Sequence, residues 1–205
     1  GFQNSVIGFA NVVVQSNINA FGELAMSGCG AYAKVEGFAF LPITSFTSAI
    51  TTFVGQNLGA EEFDRAKKGA RFGILCSLLI AEGIGVITYV FSPVFIGAFC
   101  DSQAAIAFGV DKAHICALFF CLLAATHCLS AVLRGAGRAM VPMVVMLSVW
   151  CVLRVSILWI AVPITQSINT VNWVYPITWS ISTVVLLIYY RKSDWLHSFQ
   201  RETAK

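Results

Sequence analysis

Charge is what this sequence has least of. Only 11% of its 205 residues are Asp, Glu, Lys or Arg, where a soluble domain carries roughly 25%. So few charges cannot cover a fold of this length in water, and 58% of the residues are hydrophobic, with a mean hydropathy of +0.78. The composition fits a chain solvated by lipid. Histidine is scarce as well, at 3 residues. No Ser-His-Asp grouping, phosphate-cradling glycine loop or cluster of His, Asp and Glu near one membrane face is evident, which argues against an integral-membrane enzyme and leaves no catalytic residue or cofactor to name. The seven cysteines, Cys29, Cys76, Cys100, Cys116, Cys121, Cys128 and Cys151, contain no C-x-x-C pair. CALFFC at 116–121 lacks the second pair a zinc site needs. They read as reduced packing residues, small and polarizable enough for an apolar interior, and no metal is expected.

What is abundant is the long apolar run. About 20 apolar residues cross a hydrocarbon core of about 30 Å, and six stretches qualify: Gly1–Phe21, Gly37–Ala60, Phe72–Phe99, Ala113–Leu133, Ala139–Thr165 and Val171–Tyr190. Lipid offers no hydrogen bonds to the backbone, so each run is expected to be helical. The fold class is therefore an all-α integral membrane protein with six transmembrane helices. Pro42, Pro93 and Pro176 fall inside or near span ends as possible kinks, and Pro142 suits a first turn.

Orientation follows from the basic residues. Arg65, Lys67, Lys68 and Arg71 after the second span, Arg134 and Arg138 after the fourth, and Arg191, Lys192, Arg201 and Lys205 at the C-terminus share one side. Lys34 and Lys112 fall on the other, and Arg154 is intramembrane. Basic loops stay cytoplasmic, so both ends of the segment are expected in the cytoplasm, with the chain multi-pass in the cell (inner) membrane. The net charge of +3 is thus a topology signal, and nucleic acid is not an expected partner. Gly1 already stands inside an apolar helix, with neither an initiator Met nor a signal-peptide pattern, so the expectation is a piece of a longer chain.

The loop after the second span is the most distinctive stretch. FVGQNLGAEEFDRAKKGARFG (53–73) reads as a helix end at Gly55–Gly59, then a helix with acids first and bases later, as the helix dipole favours. FVGQNLGAEEFDRAKKG resembles the connector between the second and third helices of the C-terminal lobe in the multidrug and toxic compound extrusion (MATE) family. NINAFGELAMSGCGAYAKVEGFAFLP (17–42) and LRGAGRAMVP (133–142) agree with that lobe, in the right order and over nearly the whole chain. None of these motifs is catalytic. The resemblance implies one six-helix lobe, here residues 1–205, of a twelve-helix transporter whose N-terminal lobe is missing from the chain. It implies export of cationic drugs and other small organic solutes in exchange for Na⁺ or H⁺, by rocking of two lobes about a central cavity. Two such lobes would be parallel repeats related by an axis along the membrane normal. The partners implied are small organic solutes, membrane lipids and the other lobe. Other readings are a lipid-linked precursor flippase of the wider superfamily, a membrane enzyme, and a non-transporting assembly protein. The flippase should line its cavity with several basic residues, and among the spans only Arg154 offers one.

Against that frame the polar residues of the spans become candidates. Asn4, Asn11, Gln15 and Asn19 fall within roughly 80° of one another on a helix, and such a stripe is costly in hydrocarbon unless it meets protein or water. It reads either as a neutral wall of a substrate cavity or as interhelical hydrogen bonding worth about 0.6 kcal/mol per bond. Thr44, Thr47 and Thr51 repeat the pattern with hydroxyls, although Ser and Thr in such helices often bond their own i−4 carbonyl. Glu82 and Arg154 are the ionisable residues deep in the apolar runs. Both lie about 21 Å from their cytoplasmic helix starts, which suggests that they compensate each other. Some branches of the family place coupling carboxylates in the first and fourth helices of this lobe; here those runs hold none, so coupling is expected in the other lobe. His127 reads as a packing or hydrogen-bonding residue.

Overall fold

The computed structural model describes residues 2–197, with side chains from Ile7 onward. Six helices follow one another: α1 (Phe2–Asn19), α2 (Glu23–Gly59), α3 (Phe63–Gly97), α4 (Gln103–Gly135), α5 (Met140–Thr165) and α6 (Ile168–Lys192). α2 to α6 are long and apolar enough to cross a membrane, while α1, with 18 residues, is shorter and carries the amides. The chain is an all-helical, multi-pass membrane bundle.

Three helices begin well before their apolar runs, α3 among them at Phe63 rather than Phe72. α2 starts at Glu23 rather than near Gly37, and α4 at Gln103 rather than near Ala113. Lys34, Glu36 and Lys112, which the apolar runs left in connecting segments, are therefore helical, and Lys112 is buried with 4% exposure. The reason is physical. An ion can enter a helix bundle if protein groups solvate it, so a helix need not stop where charge appears.

The connectors follow the local chemistry. α2 ends at Gly59, Ala60 caps it, and Glu61 takes a left-handed φ of 60° before α3 begins at Phe63. Asp64 then sits in the first turn, where a carboxylate meets the positive helix end. At the α4–α5 turn Gly137 has φ 77°. Arg138 beside it donates to the Tyr189 hydroxyl at 3.0 Å and to the Asp194 carbonyl at 3.2 Å, tying the turn to the end of α6.

α2, α3 and α4 pack closely against one another, α4 meets α6, and α1 lies against the middle of α5. Lipid gives helices no hydrophobic reason to associate, so close contact depends on small residues. Gly28 of α2 shows this: a Cβ there would collide with the Ala105 carbonyl, and one on Gly109 would stand 2.6 Å from the Gly28 carbonyl. Backbone touches backbone at that crossing.

Two breaks interrupt the ladders. α4 tightens to a 3₁₀ turn at Ala117–Phe119, and α5 widens to a π-helix over Leu147–Leu153, immediately before Arg154. Glu82 of α3 meets the first break: its carboxylate accepts from the Cys121 backbone N–H at 3.1 Å. A 3₁₀ turn shifts the hydrogen-bond register and leaves such a donor free, and Glu82 satisfies it.

Candidate functional site

A cavity of about 660 Å³ opens among α1, α2, α4, α5 and α6. Phe40, His127, Trp150, Tyr175 and Trp179 give it an aromatic wall, and Asn11, Glu36, Arg134 and Arg154 bring the polar and charged groups. The size and the mixture suit a drug-sized organic molecule.

Arg154 is the most constrained of these. It is 2% exposed, and its guanidinium carbon stands 4.8 Å from the Tyr175 ring centroid and 5.3 Å from that of Trp150. Nη2 donates to Thr178 Oγ1 at 2.7 Å, while the Thr178 hydroxyl donates to the Val174 carbonyl at 2.9 Å. The hydroxyl is thereby turned so that its lone pair faces the arginine. Lys112 is held in a similar way, its ammonium 4.7 Å from the Tyr175 centroid and 5.5 Å from that of Tyr32. One tyrosine ring thus serves two buried cations, and desolvated contacts of this kind are worth about 2 kcal/mol each. Glu36, one helical turn after Tyr32, is half-buried and feels both Lys112 and Arg154.

A hydroxyl network braces the aromatic wall. Trp150 Nε1 donates to Ser182 Oγ at 3.2 Å, Thr126 lies 3.0 Å from Ser182 and 2.9 Å from Thr183, and Thr183 donates to the Leu122 carbonyl at 2.9 Å. These bonds join α4, α5 and α6. His127 packs edge-on against Phe40, with ring centroids 4.9 Å apart, and against Trp150 at 5.5 Å.

The sequence candidates are distributed unevenly around this cavity. Asn11 lines it. Gln15 and Asn19 bond each other at exposed positions, Nε2 donating to Oδ1 at 2.8 Å, and the side chain of Asn4 lies outside the described residues. Thr44 donates to the Leu41 carbonyl at 2.8 Å, Thr47 to Ile43 at 2.7 Å and Thr51 to Thr47 at 2.8 Å. Their hydroxyls are engaged with their own helix, and Thr51 also reaches the Ala131 carbonyl of α4 at 3.4 Å. The expected Glu82–Arg154 pairing is replaced by separate partners, because Glu82 binds the Cys121 N–H and Arg154 binds Thr178. Equal depth along two helices does not make the helices adjacent. Sequence reasoning passed over Glu36, Lys112, Trp150 and Tyr175. The available signal was helical: Tyr32 and Glu36 stand four positions apart on one face.

Six helices, five of them around a charged, aromatic-walled cavity, define a polytopic membrane bundle with a candidate site. The family model described as MatE matches residues 1–160, and the chain belongs to that family. It is 26% identical over 188 residues to "Probable multidrug resistance protein YoeA" of Bacillus subtilis (strain 168), covering 91% of this chain and 40% of that protein. It is 28% identical over 150 residues to "Probable multidrug resistance protein NorM" of Thermotoga maritima, covering 73% and 31% respectively. The fold superposes with TM-score 0.85 and 18% identity on a structure described as the outward-facing conformation of a multidrug resistance MATE family transporter, over 93% of this chain and 43% of that one. The chain spans less than half the length of the curated relatives it matches.

Proposed function

We propose that the full-length protein is a cation-coupled antiporter that exports organic solutes, cations among them, in exchange for Na⁺ or H⁺. This chain supplies the C-terminal six-helix lobe, and a second lobe closes the cavity from the other side. Rocking of the two lobes exposes the cavity alternately to each face of the membrane. The observation that carries this reading is the 660 Å³ cavity, whose aromatic wall includes one carboxylate, Glu36. Aromatic rings and the acid can take the cationic end of an organic solute, while Arg134 and Arg154 on the same wall face any negative group it carries. The relatives' names, which are those of multidrug resistance proteins, support the same reading.

Both ends of the segment lie in the cytoplasm in this reading, as the basic residues after α2, after α4 and beyond α6 favour, and the protein sits in the cell (inner) membrane. The test is transport by the full-length protein in proteoliposomes loaded with ethidium, under an imposed Na⁺ or pH gradient. Gradient-dependent movement of the dye supports the proposal, and its failure under both gradients overturns it. A second reading, translocation of a lipid-linked precursor, draws on Arg134 and Arg154 both lining the cavity. Flipping of a fluorescent polyprenyl phosphate without any ethidium movement would favour that reading instead.

A further inference from the structure

We propose that Arg154 sets substrate specificity by receiving a carboxylate of the exported solute, so that the cavity accepts zwitterions whose ammonium is taken by Glu36. The inference rests on the export reading above and names the substrate class of the same cavity. Three observations carry it.

The first is the state of the guanidinium. It lines the cavity yet is 2% exposed, and its Nε has no hydrogen-bond partner among the described residues. Tyr175 and Trp150 fix the group, and Thr178 engages Nη2. A buried donor without a partner is costly until something bonds it, and this one belongs to a residue of the cavity wall. Arginine's planar fork matches a carboxylate in particular.

The second is the neutrality of the direct contacts. Thr178, Trp150 and Tyr175 are uncharged, and among the described residues the only ion pair is His197–Asp194, near the end of the described chain. Glu36 acts on Arg154 only through longer-range attraction and is shared with Lys112.

The third is the charge of the wall. Arg134 and Arg154 line the cavity against one carboxylate, Glu36, with Lys112 buried behind Tyr175. This wall therefore carries surplus positive charge in a low-dielectric setting, where an entering monoanion is attracted strongly.

The test compares two dyes that differ in one group: rhodamine B, which carries a free carboxylate, and its ethyl ester, which does not. Full-length protein in proteoliposomes would be assayed for both, and the ratio of acid efflux to ester efflux read for each variant. Arg154→Gln should lower that ratio roughly tenfold, the size of one charged hydrogen bond, whatever the change in efflux common to both dyes. Arg154→Lys retains the charge without the fork and should fall between. Glu36→Gln should raise the ratio, because it removes the wall's negative charge. That variant keeps the proposal testable even if Arg154→Gln is not recovered folded. A ratio unchanged in every variant, or lowered by Glu36→Gln, overturns the inference while leaving export intact. If wild type moves neither dye and no ethidium, the export reading itself fails and this inference with it.

Discussion

Replacing Glu82 separates a backbone cap from a partner charge. The carboxylate accepts the Cys121 N–H at 3.1 Å where α4 passes through its 3₁₀ turn. A hydrogen bond to a charged group is worth about 1.5–3 kcal/mol, and a donor left unbonded in an apolar surrounding loses a comparable amount. Glu82 is half-buried, so the lower end applies, and Glu82→Leu should destabilise the bundle by about 1.5 kcal/mol. Glu82→Gln keeps an acceptor oxygen and should cost about half of that. Adding Arg154→Met should rescue neither variant, since residues with separate partners add independently. The assay is thermal unfolding of the detergent-solubilised full-length protein, read by size-exclusion fluorescence, with hydrogen exchange around Cys121 reporting the local break. Faster exchange at Cys121 in Glu82→Leu, and not in Glu82→Gln, is the expected signature. Partial recovery of stability in the Glu82→Leu/Arg154→Met double variant would refute the reasoning and restore a direct charge pair.

Gly28→Ala forces a Cβ into the Ala105 carbonyl and should destabilise by about 1–3 kcal/mol, seen as a lower melting temperature with little change in transport by the folded fraction. Tyr175→Phe keeps the ring under both cations and should be nearly silent in folded yield. Tyr175→Leu removes two cation–π contacts and should cost about 2–4 kcal/mol; equal yields for the two variants would refute the shared-ring account. Thr44→Val and Thr47→Val lose only hydroxyls bonded to their own helix, and dye efflux and stability should both stay near wild type, within about 0.5 kcal/mol. Asn11→Leu, on the cavity wall, should change the order of preference among dyes, whereas Gln15→Leu should leave that order unchanged.

The number of helices, their order and the α2–α3 connector were legible because each rests on local composition: long apolar runs, a glycine at the helix end, acids in a first turn. The charged part of the cavity was not. A scan for charge-free runs ends each run at the nearest charge, so Glu36 and Lys112 were trimmed off the very helices that carry them. Arg154 survived because it lies mid-run, but its partner could not be found from depth alone. Thr178 comes from α6, and only the packing of α5 on α6 brings it within 2.7 Å. Within α1 the amide pattern was correct as a pattern, yet only Asn11 among the described amides of that stripe reaches the cavity wall. A helical face states a direction, and the neighbouring helices decide what occupies it.

The π-helical segment Leu147–Leu153 has a consequence for insertions and deletions. A π turn holds one residue more than the α-helix on either side requires. Removing one residue from within that segment, Val149 for example, lets the ladder close as ordinary α-helix while the flanking turns keep their phase. Removing one residue downstream of Arg154 would instead swing the side chains that follow it by about 100°. This helix therefore has one place that tolerates a change of length, and it lies directly before the arginine. Evolution could shorten the chain by one residue there and still present the guanidinium to the same side.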